Sequence, residues 1–513
     1  MHISKRLAVQ ASSCRLQAGK GRLVGVFVDK KEERHSEAGL TSAARRLNAT
    51  TRLSPSFFTS QSSPISFLSC QPLKAGQARV LHGLSLEESV AVVGIGEKGR
   101  GVSSRECRHE GREDVRRAVG VGAKALRDCG CTSIELDPCG HPDASAEGAS
   151  LSLFAYDELK SKAEERKKPV QLRLLSEDEQ ACKAFSRGLR LAEGQNHARR
   201  LMEMPSNLLT PRLFSDEAQR LFQKLPVKVT VRDKAWLEKE KLGALLAVAK
   251  GSAEAPLMLE LSLEGDGPLT MMVGKGVTFD SGGLSLKPPA GMDKMRGDMG
   301  GAAVVLAAAW TLASLPGPRR NLRVLVPLVE NMPGGGATRP GDIVKAYNGL
   351  SIKVDNTDAE GRLILADALA YACEVYKPAQ LVDVATLTGA AHVALGSAAA
   401  PAYTNDLGLW TQLSKAAEKS GDRLWRLPLF RHYSELMKSP FADLNNIQKP
   451  NTGAGSPTAA AFLQEFVSCQ SWAHLDIAGV MEGDGQVPYM PAGMTGSPTR
   501  TLVEWLQQTD AER

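Results

Sequence analysis

The feature that most limits the fold lies in the second half of the chain, where apolar runs of strand length alternate with longer helical ones. PLTMMVGKGVTFD (268–280) reads as a buried strand that breaks at Gly274 and Gly276. GGAAVVLAAAWTLASL (300–315) is an Ala-rich helix stopped by Pro316, NLRVLVPLVE (321–330) a strand, and NMPGGGATRPGD (331–342) a loop. GRLILADALAYACEVY (361–376) is again helical, QLVDVATLTG (380–389) a strand, and WAHLDIAGV (472–480) a later one. Strands alternating with helices of this length predict an α/β fold, a mostly parallel sheet flanked by helices. Ligands in such sheets bind outside the carboxyl ends of the strands. The polar clusters of this chain stand there.

Upstream the pattern is a second, smaller α/β domain. SVAVVGIGEKG (89–99) is an apolar strand running into a Gly-rich turn, and helix, strand (132–140), helix and strand (170–176) follow. The expected division is an N-terminal domain over 21–176, a linking helix over 177–204 and a larger C-terminal domain over 205–508. Residues 51–70, with seven Ser and two Pro and no amphipathic period, read as a loop or insertion. Gly94-Ile-Gly96-Glu-Lys-Gly99 matches the dinucleotide-binding G-x-G-x-x-G. That site needs a second strand closed by an acid, and the stretch that follows is charged and helical instead. Cys129-Gly-Cys131 with Cys139 invites a zinc reading, but the spacing is unusual and no second pair completes four ligands. A structural role is the better reading of both.

Charge separates the chain into two parts. Residues 1–52 carry +7 and the remainder −1. A near-neutral body argues against a broad nucleic-acid surface. Lys5, Arg6, Arg15, Lys20 and Arg22 all precede the first acid, Asp29. Basic, Ser-containing and acid-free is the composition of a mitochondrial transit peptide, and a disordered start over 1–20 is the alternative. No window of about 18 uninterrupted apolar residues occurs, so no membrane span is expected. Nine Cys, an odd number scattered along the chain, favour reduced thiols in a cytoplasmic or organellar interior.

Two segments concentrate charge in apolar surroundings. Residues 274–301 hold Lys275, Asp280, Lys287, Asp293, Lys294, Arg296 and Asp298, and residues 354–362 hold Asp355, Asp358, Glu360 and Arg362. Both follow apolar strands and precede helices, so their side chains can converge at one sheet edge. Asp280, Asp298, Asp358 and Glu360 crowded together would resist ionisation unless cations compensate. Two divalent ions would neutralise them. With no His in either segment, oxygen ligands suit Mn²⁺ or Mg²⁺ as well as Zn²⁺. The plainer alternative makes Asn356-Thr357-Asp358 a helix N-cap. It accounts for one Asp and leaves Glu360, Arg362 and the first segment unexplained.

NTDAEGRLILADAL (356–369) and GKGVTFDSGG (274–283), with the Lys and Asp spacing between them, resemble the leucine aminopeptidase (cytosol aminopeptidase) family. The similarity runs from Gln195 to Leu506 and more loosely back to LKAGQARVLHGL (73–84). It implies that Asp280 and Glu360 bridge two divalent metal ions (Zn, Mn or Mg). Asp358 completes one site, and Asp298 with a neutral Lys275 amine the other. It implies Lys287 as the ammonium that stabilises the oxyanion, and Arg362 as the holder of a bicarbonate that shuttles the proton. A side-chain pocket from Met295, Thr386, Gly389, Ala478 and Met481, with backbone contacts near Leu387, is implied as well. It is apolar enough for Leu or Met at the substrate's first position. The activity implied is removal of the N-terminal residue from peptides, dipeptides included, by a cytoplasmic homohexamer without nucleic-acid or membrane partners.

Two departures stand out. Gly349-Leu350-Ser351 replaces the family's usual Gly-Lys-Thr, and Pro457 stands where a non-proline residue is usual. The rival readings are a two-metal phosphoesterase, which would normally bring His ligands, and a catalytically inactive structural or binding relative.

Overall fold

The computed structural model describes residues 19–27, 41–44, 73–85, 88–317, 320–450 and 452–508. The basic start up to residue 18 and the Ser-rich segment 51–70 lie outside the described residues. The chain forms two compact units, one spanning Met1–Ala192 with Gly485–Pro491, the other Glu193–Asp484 with Ala492–Arg513.

The first unit is a five-stranded sheet of β1 (Lys20–Phe27), β2 (Ala78–Ser85), β3 (Glu88–Ile95), β4 (Ser133–Leu136) and β5 (Gln171–Leu174), in the order β2-β3-β1-β4-β5. Only β2 runs antiparallel to its neighbour. Helices α1 (Glu110–Asp128) and α2 (Pro142–Ser152) pack so closely that a Cβ at Gly148 would lie 2.7 Å from the Arg116 Cα. The Gly-rich turn after β3 is no phosphate cradle. The Asp114 carboxylate fills the space beside Gly96, and α1 opens with Glu110 and Glu113 in its first turn. A pyrophosphate would meet carboxylates there, not open N–H groups. Cys131 and Cys139 pack against Gly21 and Gly25. Those positions are four residues apart on β1, about 13 Å along a strand, so the two thiols do not share a metal.

Helix α3 (Glu179–Glu203) carries the chain from the first unit into the second. There the strands are β6 (Lys228–Arg232), β7 (Leu257–Leu263), β8 (Asp266–Gly274), β9 (Gly276–Asp280), β10 (Arg320–Asn331), β11 (Gln380–Ala385), β12 (Ala400–Thr404), β13 (Leu424–Arg426) and β14 (Trp472–Asp476). Their order is β13-β12-β14-β11-β8-β10-β7-β6, and β9 continues along β10 where β8 stops. The centre, β14-β11-β8-β10, is parallel. Antiparallel pairings flank it, at β7 on one side and β12 on the other. All five residues of β14 are buried, as expected of a strand covered on both faces. Helices α4 (Gly300–Ser314) and α5 (Gly361–Tyr371) supply much of that cover: α5 is buried throughout, and α4 except at its last residue. The stretch Met292–Ser314 has the length and mean hydropathy (1.2) of a membrane span, yet 94% of its apolar window is buried inside the protein. Its α-helical part, α4, is one of the core helices of this unit.

Candidate active site

The site starts from a break in one strand line. After Gly274 the chain leaves β8 and resumes as β9, and Lys275 stands in the gap. Its N–H donates to the Val384 carbonyl (3.0 Å) and its carbonyl accepts from Ala302 N–H (2.9 Å), which ties the break to β11 and to the start of α4. Two glycines leave room for it. A Cβ at Gly301 would collide with the Val384 carbonyl, and one at Gly361 would lie 2.5 Å from the Lys275 Cε. The glycine of the AEGR sequence thus lets the lysine pass under the start of α5.

The Lys275 ammonium donates at 2.8 Å to Asp298 Oδ1 and to the Thr386 carbonyl, and pairs at 2.8 Å with Glu360 Oε1. Asp280 ends β9 opposite Asn331 of β10, whose Nδ2 donates to Asp280 Oδ1 at 2.8 Å. Lys287 reaches in from the following loop to Asp280 Oδ2 (2.8 Å) and Asp358 Oδ1 (2.5 Å). Carboxylate oxygens of Asp280, Asp358 and Glu360 lie within 4.8 Å of one another. The two charged segments therefore converge on one cluster of four acids and two lysines at the carboxyl ends of the central strands.

Electrostatics is unbalanced there. Burial, reinforced by the neighbouring carboxylates, holds Asp298, Asp358 and Glu360 above the usual carboxylate range. Burial also works against the Lys275 ammonium, but Asp298, Glu360 and Asp280 outweigh it and keep the group charged well beyond the lysine range. Lys287 is raised in the same way by Asp280 and Asp358. Four carboxylates on two ammonium groups leave a deficit of two positive charges. Asp298 Oδ2 and Glu360 Oε2 are buried without a hydrogen-bond partner. Buried anionic oxygens left without donors call for a cation. The donor set of hard oxygens and one amine fits divalent ions. Arg362, buried on α5, donates through Nη1 to the Asn446 carbonyl (2.8 Å), while its Nε has no partner. Burial brings its pKa down to about 10. A guanidinium N–H left unpaired in this way can donate to a small oxyanion.

Not every charge in the two segments joins the cluster. Arg296 pairs with Glu203 (2.7 Å), Lys294 with Glu482 (2.7 Å), and Asp355 with Lys353 and Lys449 (2.9 Å each). Asp293 lies in the same short turn, Met292–Gly297, as Lys294 and Arg296. Thr386 connects pocket and cluster: its hydroxyl donates to Asp298 Oδ1 at 2.8 Å and its methyl faces Gly300. Met481 Sδ packs toward Gly297, two residues after Met295, and a Cβ at Gly389 would meet nothing within 4 Å. Leu387 and Ala478 both hydrogen-bond through their N–H groups to Asp476. The six expected pocket residues thus come from three turns bordering the cluster. Pro457 falls in the first turn of the helix Gly455–Gln464, where a missing N–H costs nothing. Ser351 bonds to Asp443 (2.7 Å), away from the acids. A cavity of about 710 Å³ opens beyond the C-terminal end of α5, lined in part by Cys373 and Cys469, and contains none of these residues.

Several supporting residues escaped the sequence reading. Thr357 Oγ1 donates to the Gly282 carbonyl (2.7 Å) and accepts from Ser285 N–H (2.8 Å), clasping the two segments together. Asn446 accepts from the Asp355 N–H (2.8 Å) and donates to the Asn356 carbonyl (2.6 Å). The one signal available for Asn331 was its place at the end of a strand whose middle, Val324–Val329, is apolar.

Residues 196–503 match the catalytic domain of the cytosol aminopeptidase family, and residues 74–163 match its N-terminal domain. The chain belongs to the cytosol aminopeptidase family. It is 47% identical over 502 residues to the cytosol aminopeptidase of Xenopus tropicalis, covering 96% of this chain and 94% of that one. Over 447 residues it is 48% identical to that of Homo sapiens, covering 86% and 85%. Among solved structures, the bottromycin maturation enzyme BotP in complex with Mn is 33% identical, with a TM-score of 0.79, covering 96% of this chain and 99% of that one. Family membership makes this chain an aminopeptidase, a hydrolase of peptides.

Proposed function

We propose that the chain is a two-metal leucyl aminopeptidase, releasing Leu and other apolar residues from the N-terminus of peptides, dipeptides included. The observation that carries this reading is the charge deficit of the four-acid cluster, with buried oxygens of Asp298 and Glu360 left unpartnered. Asp280 and Glu360 would bridge two divalent ions, with Asp358 on one and Asp298 with Lys275 on the other. Such a pair, when bound, lowers the pKa of a bridging water and polarises the scissile carbonyl. Zn, Mn and Mg are the candidates, and the similar BotP structure in complex with Mn supports manganese.

The chain's own residues do the rest. To ligate, Lys275 would have to lose one of the three ammonium protons it now directs at Asp298, Glu360 and the Thr386 carbonyl. Lys287, the more exposed of the two lysines, stays an ammonium and meets the developing oxyanion at the open side of the cluster. Arg362 holds bicarbonate on its unpaired Nε edge, which supplies a proton shuttle where every nearby carboxylate is taken as a ligand. Met295, Thr386, Leu387, Gly389, Ala478 and Met481 receive the first side chain. We assign catalysis to the domain 205–508, joined by the helix 177–204 to the N-terminal domain 21–176. The assembly is read as a cytoplasmic homohexamer.

The deciding assay is release of leucine from leucine amide by purified protein with Mn²⁺, Zn²⁺ or chelator. Metal-dependent turnover abolished by chelation is expected. A folded protein that shows no turnover with any of these metal ions would mean the site serves structure or binding, and the enzyme reading would be withdrawn.

A further inference from the structure

One fully buried carboxylate beside the cluster belongs neither to the metal ligands nor to the pocket lining. Asp476 closes β14 opposite Ala385 of β11, at the carboxyl ends of both strands. Its Oδ1 accepts from the N–H groups of Leu387 (3.2 Å), Thr388 (3.3 Å) and Ala478 (3.3 Å). Its Oδ2 accepts from the hydroxyls of Thr388 (2.6 Å) and Ser456 (2.8 Å). The Ser456 hydroxyl in turn accepts from Tyr403 (2.8 Å). Thr388 also caps the short helix Gly389–Leu395 through Ala391 N–H (3.1 Å). The turn after β14 rests on that helix, since a Cβ at Gly479 would lie 2.6 Å from the Gly396 carbonyl.

Two turns that border the pocket, 387–389 and 478–481, therefore share one side chain as their common acceptor, while Thr495 holds the far end of the second turn at the Val480 and Met481 carbonyls. Past the Ala385–Asp476 pair the two strand ends share one backbone bond, from the Ile477 N–H to the Ala385 carbonyl (2.8 Å), and beyond it the Asp476 side chain is the link from 387–388 to 478. We infer that Asp476 is the positioning residue of the side-chain pocket: its carboxylate fixes the separation of these two turns and thereby sets selectivity among first-position side chains. The inference rests on the aminopeptidase reading and extends it to a residue that touches no substrate. Chemistry at the metals does not pass through Asp476, so the expected signature is in KM and selectivity, not in metal content.

Physical chemistry separates the informative substitutions. Asp476→Ala leaves three backbone N–H groups and two hydroxyls without their acceptor. Asp476→Asn can keep the arrangement, with its carbonyl oxygen toward the three N–H groups and its NH₂ toward the two hydroxyls, which can accept as well as donate. The test compares kcat and KM for leucine amide and alanine amide in wild type and both variants, Mn²⁺-loaded, with bound metal measured in each. In the Ala variant the Leu-to-Ala ratio of kcat/KM should fall by about tenfold, of the size a hydrophobic pocket draws from added methylenes. The fall should lie mostly in KM for leucine amide, with bound metal unchanged, while the Asn variant keeps the ratio. If the Ala variant does not fold, Thr388→Val removes the shortest of the five bonds together with the cap on the Ala391 N–H, and should lower the ratio part-way. A ratio that survives in Asp476→Ala, or in Thr388→Val where the Ala variant does not fold, overturns the inference. So does one lost as fully in Asp476→Asn as in Asp476→Ala. Absence of turnover in wild type would instead strike the aminopeptidase reading, which that arm reports independently.

Discussion

Glu113 in the first unit and Glu360 in the second are almost equally buried, 3% and 2% exposed, and their surroundings are opposite. Glu113 meets Arg117 at 2.9 Å, Arg108 and Arg116 at 3.6 Å each, and accepts from the Tyr489 hydroxyl at 3.0 Å. Burial alone would raise its pKa, but the three guanidinium groups win and hold it below the usual range. Glu360 shares one ammonium with Asp298, keeps one oxygen without a partner, and is pushed upward by burial and by Asp280. A buried acid surrounded by cations is part of the frame. A buried acid short of cations has no reason to persist in a fold unless something from solution completes it.

The sharpest way to break this contrast is to remove each acid in turn. Glu113→Ala takes the nearest carboxylate from Arg117 and one of several from Arg108 and Arg116, which keep Glu110 and Glu147, and should cost about 1–3 kcal/mol of stability, as loss of the acceptor from buried hydrogen bonds does. Metal binding by the second unit should be untouched. Thermal unfolding with and without Mn²⁺ checks both statements. The sign with pH follows from the lowered pKa. The Glu113 contribution is complete above the unfolded value of 4.5 and is lost as pH falls through the lower folded one. Acid unfolding of the first unit should therefore steepen below about pH 4.5, and the Ala variant should lack that component. A wild-type profile no steeper than the variant's would mean the arginines do not hold the acid as described.

Glu360→Gln should do the reverse. Taking one negative charge out of an over-acidic cluster relieves repulsion, so the metal-free variant should melt no lower than wild type. Leucine amide hydrolysis should nonetheless fall by at least ~100-fold, as expected on removing support for a catalytic metal. Stabilisation by Mn²⁺ should shrink with it. A metal-free variant that melts well below wild type would place Glu360 with Glu113, among the frame residues.

Thr386→Val probes the seam between cluster and pocket. It keeps the shape of the side chain and deletes the hydroxyl that donates to Asp298 Oδ1 at 2.8 Å. Outer-shell hydrogen bonds of this kind are worth about 10-fold in activity or metal affinity, so a metal titration followed by hydrolysis should register a loss of about that size. Unchanged affinity would mean the Lys275 contact alone orients Asp298.

How far the sequence went is explained by the same balance of local and non-local causes. The central strands and α4 and α5 were legible because apolar runs of the right length are a local property. So were the two charged segments, since acids and lysines between apolar elements stand out. The antiparallel flanks were not, because a run such as KVTVR in β6 carries no mark of its direction. Asn331, Asn446 and Asp476 were missed for a related reason. Each is an ordinary polar residue at the end of a strand or in a loop, common in any chain. Its meaning comes from which strand ends become neighbours, and that is settled by sheet order. The turn Met292–Gly297 makes the point in reverse, since Lys294 and Arg296 stand in the same charged segment as Asp298 and pair with Glu482 and Glu203 instead.

Lys294 gives the smallest effect and the cleanest control for that last distinction. It lies six residues or more from Asp280, Lys287 and the glycines that shape the cluster, yet only four before Asp298. Its ammonium pairs with Glu482 on the surface at 2.7 Å. An exposed pair of this kind contributes little, because water solvates both partners nearly as well as they solvate each other. Lys294→Ala should leave metal-dependent turnover of leucine amide within about twofold of wild type, with no resolvable change in melting. The same assay that registers Glu360→Gln and Thr386→Val serves here. A loss comparable to that of Thr386→Val would mean that proximity in sequence to Asp298 matters in a way the paired geometry does not convey, and the division between ligand-like and frame-like charges in residues 274–301 would have to be redrawn.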